Sequence, residues 1–134
     1  MARCIGAVPR SQRKLVTTHD ALGYYAARYG IDVVGTVIPS LSTEAQPSAG
    51  DTAELIKTIE DTGVKAIFAE SSVNPKVEAA IARETGATVG GALWADALGP
   101  PGSDGATYLA SIAANTRTLV DGFTGGRVTC RIDA

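Results

Sequence analysis

The chain has 134 residues, of which 45% are hydrophobic and 19% are charged, and its formal net charge is -2. The length fits one domain, and this composition is that of a folded protein rather than a disordered chain. The small negative net charge and the lack of a long run of like charges give no basic footprint for nucleic-acid binding, which is therefore not expected. No stretch approaches the roughly 18 consecutive apolar residues of a membrane span, and we expect no secretory signal in this sequence.

Four stretches rich in β-branched and apolar residues predict strands. They cover residues 14–18, 31–38, 64–69 and 87–92, the last running on to Asp96. Helical spacing of apolar residues follows each strand, after a polar loop over residues 39–50 for the second strand and a glycine-rich loop over residues 99–105 for the fourth. Strands separated by helices are parallel with right-handed crossovers. The sequence therefore predicts one α/β domain over residues 1–134, a three-layer α/β/α sandwich around a four-stranded, mainly parallel sheet.

Three further local features carry predictions. Residues 1–13, which include Pro9 and several basic residues, are typical of a surface segment leading into the first strand. Asp51 and Glu54 have the spacing of a capping box at the start of a helix. After Gly125 and Gly126, the run RVTCRI predicts a short edge strand.

The two cysteines, Cys4 and Cys130, lie near opposite ends of the chain. Because the ends of a compact domain are often close together, the two residues can pair in an oxidising compartment. The alternative is two unrelated thiols. Neither residue belongs to a CxxC motif, so the sequence supports neither a redox pair nor a structural zinc site.

His19 is the only histidine, and it lies where the first predicted strand gives way to a helix. In a parallel sheet, this junction faces the crevice in which such folds bind ligands. We interpret His19 as a metal ligand. The alternative is a residue at a helix start whose imidazole is hydrated or bonded to a backbone group.

Two carboxylates, Glu70 and Asp96, and the 39–50 loop follow the carboxyl ends of other strands and emerge from the same edge of the sheet. One imidazole with one to three carboxylates suits zinc or manganese, and the lack of a thiolate argues against copper(I). Zinc takes about four ligands, so His19 and Asp96 alone make an incomplete site. The alternative for Asp96 is a cap or turn residue before Gly99.

Glu70 has two interpretations. Its carboxylate either orients the imidazole or binds the metal directly, or else it accepts hydrogen bonds from the amides of the following turn, residues 71–74. The second interpretation is favoured. Glu44 is interpreted as a solvated loop residue rather than a ligand.

Motifs of other functions are missing from the sequence. There is no GxSxG stretch for a nucleophilic serine, and neither GxGxxG after a strand nor GxxxxGK[ST] for a nucleotide. One enzymatic alternative is a small α/β hydrolase-like protein in which His19 acts as general base with Glu70 or Asp96 as its partner.

The sequence resembles a known family over roughly residues 9–123. The matching runs are RKLVTTHDALGYYAARYGI, IPSLSTEAQPSAGDTAELI, GVKAIFAESSVNPKVEAAIARETGA and ALWADALGPPGSDGATYLASIAANTRTLV. They are similar to the C-terminal lobe of the zinc- and manganese-binding solute-binding proteins of ABC importers, a group that includes metal-binding lipoproteins and adhesins.

The resemblance implies a non-enzymatic protein located in the periplasm or elsewhere outside the cytoplasm, which passes its ion to an ABC permease. It implies that His19 in the HDA motif and Asp96 in the WAD segment are the metal ligands of this lobe. Zinc is expected rather than manganese, because similar manganese-binding members carry a glutamate at the position of His19. A manganese-specific member of the family is the alternative.

In that family two lobes joined by a long helix enclose the metal, and an N-terminal lobe supplies two further histidines. That lobe does not correspond to any of the matching runs, so we expect an incomplete site and weak metal binding by this chain alone. A third interpretation is self-association through the surface that the other lobe would cover, helped by an exposed Trp94.

Overall fold

A computed structural model of the chain describes residues 1–39 and 45–133. The helices in this part of the chain are α1 (Ala2–Gly6), α2 (Gly23–Tyr29), α3 (Ala49–Thr62), α4 (Lys76–Thr85) and α5 (Tyr108–Thr124), with a 3-10 turn at Arg10–Gln12. The strands are β1 (Lys14–Thr17), β2 (Asp32–Thr36), β3 (Ala66–Glu70) and β4 (Thr88–Leu93). None of the described helices is both long and apolar enough to span a membrane.

The four strands form one sheet in the order β2-β1-β3-β4, and all three neighbouring pairs are parallel. Successive side chains of a strand point to opposite faces of the sheet, so each central strand contributes side chains to two hydrophobic cores, one on each face. Leu15 and Phe68 pack with α1, α2 and α5, whereas Val16 and Ile67 pack with α3 and α4. The predicted three-layer α/β sandwich is confirmed.

Helices α2, α3 and α4 end where the sequence predicts. Gly30, Gly63 and Gly86 follow them with φ of 66°, 68° and 72°, the left-handed conformation that closes a helix. The predicted capping box of Asp51 and Glu54 is wrong by one turn. Helix α3 begins earlier, so Ser48 caps it and Asp51 completes the box by accepting the Ser48 backbone N–H at 2.9 Å.

Two predictions about the chain ends are also wrong. Residues 1–13 are not a surface segment, because Ile5 and Val8 are buried in the core beside α5. The run RVTCRI is not a strand; Cys130 forms a disulfide with Cys4, with their Cα atoms 5.5 Å apart, and Val128 packs against the same core. This covalent link holds the tail on the helical layer, away from the edge of the sheet.

The packing of Phe68 explains one glycine of β4, Gly90, and one of α5, Gly122. The ring is fully buried, and a Cβ at Gly90 or at Gly122 would lie 2.7 Å or 2.5 Å from its atoms. No side chain larger than hydrogen fits at either position without movement of the ring. The two glycines thus allow β4 and α5 to pack closely against the ring of Phe68 on β3.

Candidate metal centre

The three residues of the candidate site come from three neighbouring strands. His19 lies two residues beyond the end of β1, Glu70 is the last residue of β3, and Asp96 lies three residues beyond the end of β4. Because β1, β3 and β4 are parallel neighbours, all three residues lie at the carboxyl edge of the sheet. Within the described residues they form the one group of at least three His, Cys, Asp or Glu side chains whose ligand atoms lie close enough together to hold a metal ion.

The imidazole of His19 lies between the two carboxylates. Its Nδ1 is in contact with Oε1 of Glu70, and its Nε2 lies 3.3 Å from Oδ2 of Asp96. The side chains of His19 and Glu70 are each only 3% exposed, whereas that of Asp96 is 59% exposed. One ring nitrogen is therefore fixed inside the protein, and the other faces the open side of the site.

This geometry fits a divalent metal ion at Nε2. A tetrahedral ion bound at about 2.0–2.1 Å to an imidazole nitrogen and a carboxylate oxygen places those two atoms about 3.3–3.4 Å apart. The separation of 3.3 Å between Nε2 and Oδ2 matches this spacing. Glu70 contacts the other ring nitrogen and is placed to accept its proton in a hydrogen bond when a metal binds at Nε2, an arrangement typical of metal-binding histidines.

The structure decides between several sequence interpretations. His19 is buried, and both nitrogens of its ring face carboxylates rather than a backbone group of the described residues. The favoured interpretation of Glu70 is wrong. Its Oε1 contacts His19, and its Oε2 has no hydrogen-bond partner among the described residues. The backbone amides of residues 71–74 therefore donate no hydrogen bond to this carboxylate. Glu44 lies outside the described residues.

A third carboxyl group near the site, that of Glu78, was not expected from the sequence. Glu78, in the first turn of α4, is 2% exposed, and its Oε1 accepts a hydrogen bond of 2.6 Å from the hydroxyl of Thr18. Thr18 directly precedes His19. The two consecutive residues are therefore each held by a buried glutamate, one from β3 and one from α4. The only sequence signal for Glu78 was its place in the first turn of a helix.

Trp94 is half-buried rather than fully exposed. Its indole packs against Gly99 and Gly105, where an added Cβ would come within 2.9 Å and 2.3 Å of the ring. Trp94 thus contributes less exposed apolar area to the surface on which self-association was expected than the sequence suggested.

Comparison with known proteins places the chain among metal-uptake components. The profile of the family described as "Zinc-uptake complex component A periplasmic" matches residues 1–122. The chain belongs to this family. Family members are components of transport systems and not enzymes, and the resemblance expected from the sequence is confirmed.

The relatives carry the names of different metals. The manganese-binding lipoprotein MntA of Bacillus subtilis is 37% identical over 120 residues, which is 86% of this chain and 39% of that protein. The zinc-binding protein TroA of Treponema pallidum is 37% identical over 119 residues, 85% of this chain and 38% of that protein. The solved structure of TroA superposes with a TM-score of 0.81 at 33% identity, over 91% of this chain and 45% of that one.

The chain thus spans less than half the length of the relatives that it matches. The chain shares its fold and its family with these relatives. The ion that it binds and the full set of ligands depend on the residues of its own site.

Proposed function

We propose that this chain is the metal-binding lobe of an extracytoplasmic solute-binding protein that captures a divalent transition-metal ion for an ABC permease. The observation that carries the proposal is the placement of Nε2 of His19 and Oδ2 of Asp96 at 3.3 Å, the spacing of two ligands of one ion. In this proposal the ion is cargo, His19 and Asp96 bind it, and Glu70 orients the imidazole.

Zinc is the proposed ion ahead of manganese. Imidazole suits zinc, whereas a site made of carboxylates and water suits manganese. Two protein ligands leave about two positions of a tetrahedral site open. Water, or a protein surface facing this edge of the sheet, completes the coordination, so we expect weak binding by the 134-residue chain and tighter binding when a second lobe supplies ligands.

The disulfide between Cys4 and Cys130 supports the proposed location. Such bonds persist in oxidising compartments and are rare where glutathione keeps thiols reduced. It also removes both cysteines as competing zinc ligands, since a disulfide sulfur is no longer a thiolate.

Titration of zinc into the metal-free chain, with a chromophoric chelator as competitor, tests the proposal. His19→Ala and Asp96→Ala should each weaken zinc affinity by at least about tenfold, because each removes one of two protein ligands. Asp32→Ala, which removes an exposed carboxylate at the amino end of β2, is the matched control and should bind as the unmodified chain does. Unchanged affinity in both ligand variants would refute the proposal.

A further inference from the structure

The segment that carries Asp96 is held by a buried side chain of the last helix. We infer that Asn115 of α5 is a positioning residue for the metal site, which fixes the place of Asp96 by binding both backbone polar groups of Trp94. This inference rests on the proposed function, because it assigns to Asn115 a role in metal binding through Asp96.

The side-chain amide of Asn115 makes the two hydrogen bonds that the backbone of a neighbouring strand would make. Its Oδ1 accepts the backbone N–H of Trp94 at 2.8 Å, and its Nδ2 donates to the backbone carbonyl of Trp94 at 2.6 Å. Strand β3 ends at Glu70, which pairs with Leu93, and the Ser71 amide bonds the Leu93 carbonyl at 2.9 Å. Beyond that point the side-chain amide of Asn115 takes the place of a strand partner.

The burial of Asn115 makes this contact specific. The residue is 2% exposed, and a buried amide that lost its partners would cost free energy. Both ends of the amide bond the backbone of one residue, its N–H and its carbonyl, so the backbone at Trp94 has a single favourable position. Asp96 follows two residues later.

The other side of the segment is fixed as well. The Gly99 N–H donates to the Gly105 carbonyl at 2.8 Å, and the indole N–H of Trp94 donates to Oδ1 of Asp104 at 3.1 Å. The loop thereby closes on the Trp94 ring, and Asp96 lies on a short span between two anchored points. Its own carboxylate is largely exposed, and His19 is its ion-pair partner within the described residues. Backbone anchoring, rather than side-chain packing, therefore sets the distance from Asp96 to Nε2 of His19.

Because the position of a ligand depends on the groups that orient it, loss of Asn115 should weaken metal binding without removing a ligand. Variants of such supporting residues typically lose about 10- to 100-fold in metal affinity. We expect Asn115→Ala to lie near the lower end of this range. Asp104→Ala removes only the surface anchor of the same loop and should have a smaller effect in the same direction.

The test measures zinc affinity by chelator competition and the absorption spectrum of the cobalt(II)-loaded chain. Asn115→Ala and Asp104→Ala should both change the cobalt spectrum, because the geometry at Asp96 changes. Thr116→Val is the matched control. It removes a fully buried hydroxyl on the same helix, which bonds Tyr25 rather than Trp94, and should leave the spectrum unchanged.

A double-variant comparison separates the two proposals. If Asn115 acts through Asp96, then Asn115→Ala should cause no further loss of zinc affinity in a chain that already carries Asp96→Ala. Two results would overturn the role of Asn115. One is that the losses of zinc affinity from Asn115→Ala and Asp96→Ala add fully in the double variant. The other is that Asn115→Ala and Asp104→Ala both give the cobalt spectrum of the unmodified chain. Failure of Asp96→Ala itself to weaken binding would instead overturn the proposed function. Asp104 is exposed, so its variant remains informative even if Asn115→Ala does not fold.

Discussion

Glu70 holds His19 through the ring nitrogen that points into the protein, and leaves the other nitrogen facing Asp96. Metal binding at Nε2 requires a neutral imidazole whose proton is on Nδ1, and Oε1 of Glu70 is placed to accept that proton in a hydrogen bond. Glu70 thus supports the form of the ring in which Nε2 can bind a metal. Since this chain contains one histidine, a single set of imidazole signals reports which form is present.

The first prediction concerns Glu70. Glu70→Ala should weaken zinc affinity by about 10- to 100-fold, because nothing then orients the imidazole. Glu70→Gln keeps an acceptor for the Nδ1 proton and should lose less. Nitrogen-15 NMR of the cadmium-loaded chain should show the metal coupled to Nε2 and the proton on Nδ1. Equal losses in the two variants would instead indicate that Glu70 is itself a metal ligand.

The second prediction concerns the contact between Thr18 and Glu78. Thr18→Val keeps the shape of the side chain but removes the hydroxyl, which leaves the buried carboxyl group of Glu78 without its donor. We expect a loss of roughly 1.5–3 kcal/mol in the free energy of unfolding, measured in urea. Thr18→Ser keeps the hydroxyl and should retain most of the stability. A Thr18→Val chain as stable as the unmodified one would contradict the assignment.

The sequence predicted the elements that depend on local pattern. The helix-ending glycines and the parallel connectivity placed His19 and Asp96 at one edge, because that conclusion needs only the order of strands and helices. The partner of Glu70 could not be predicted in the same way. Whether its carboxylate turns toward the turn amides or toward a residue 51 positions away depends on the packing of the whole sheet.

Contacts made by side chains across long distances in sequence were missed for the same reason. Asn115 lies 21 residues from Trp94, and Glu78 lies 60 residues from Thr18. The sequence around a buried asparagine or glutamate on a helix does not indicate which distant residue forms a hydrogen bond with it. The tail was mistaken for a strand because its alternating pattern is equally compatible with a segment fixed by a disulfide.

The third prediction concerns the disulfide. It joins residues 126 positions apart, so its loss frees nearly the whole unfolded chain. Cys4→Ala with Cys130→Ala should reduce the free energy of unfolding by roughly 2–5 kcal/mol. The fluorescence of the single tryptophan reports the transition in urea.

Zinc affinity of the same variant should not change, because Cys4 lies in α1, before β1 begins, while the site lies at the carboxyl ends of the strands. A matching loss of affinity would show that the two regions are coupled.

The fourth prediction concerns the alkaline limit of stability. Burial raises the pKa of Tyr25 to about 12, with the neighbouring Tyr29 adding to the rise and the hydrogen bond with Thr116 opposing it. The folded chain therefore keeps the phenol protonated more strongly than the unfolded chain, whose tyrosine has a pKa near 10.0. This contribution to stability is complete below about pH 10 and is lost as the pH rises toward about 12.

Urea unfolding at a series of alkaline pH values checks this expectation. The stability of the unmodified chain should fall more steeply above about pH 10 than that of Tyr25→Phe, which has no phenol to ionise at this position. Tyr24→Phe is the matched control, because Tyr24 is 98% exposed and lies on the same helix. Its pH dependence should follow that of the unmodified chain. Parallel curves for all three chains would mean that burial of Tyr25 does not oppose its ionisation, and that α2 and α5 separate readily at this contact.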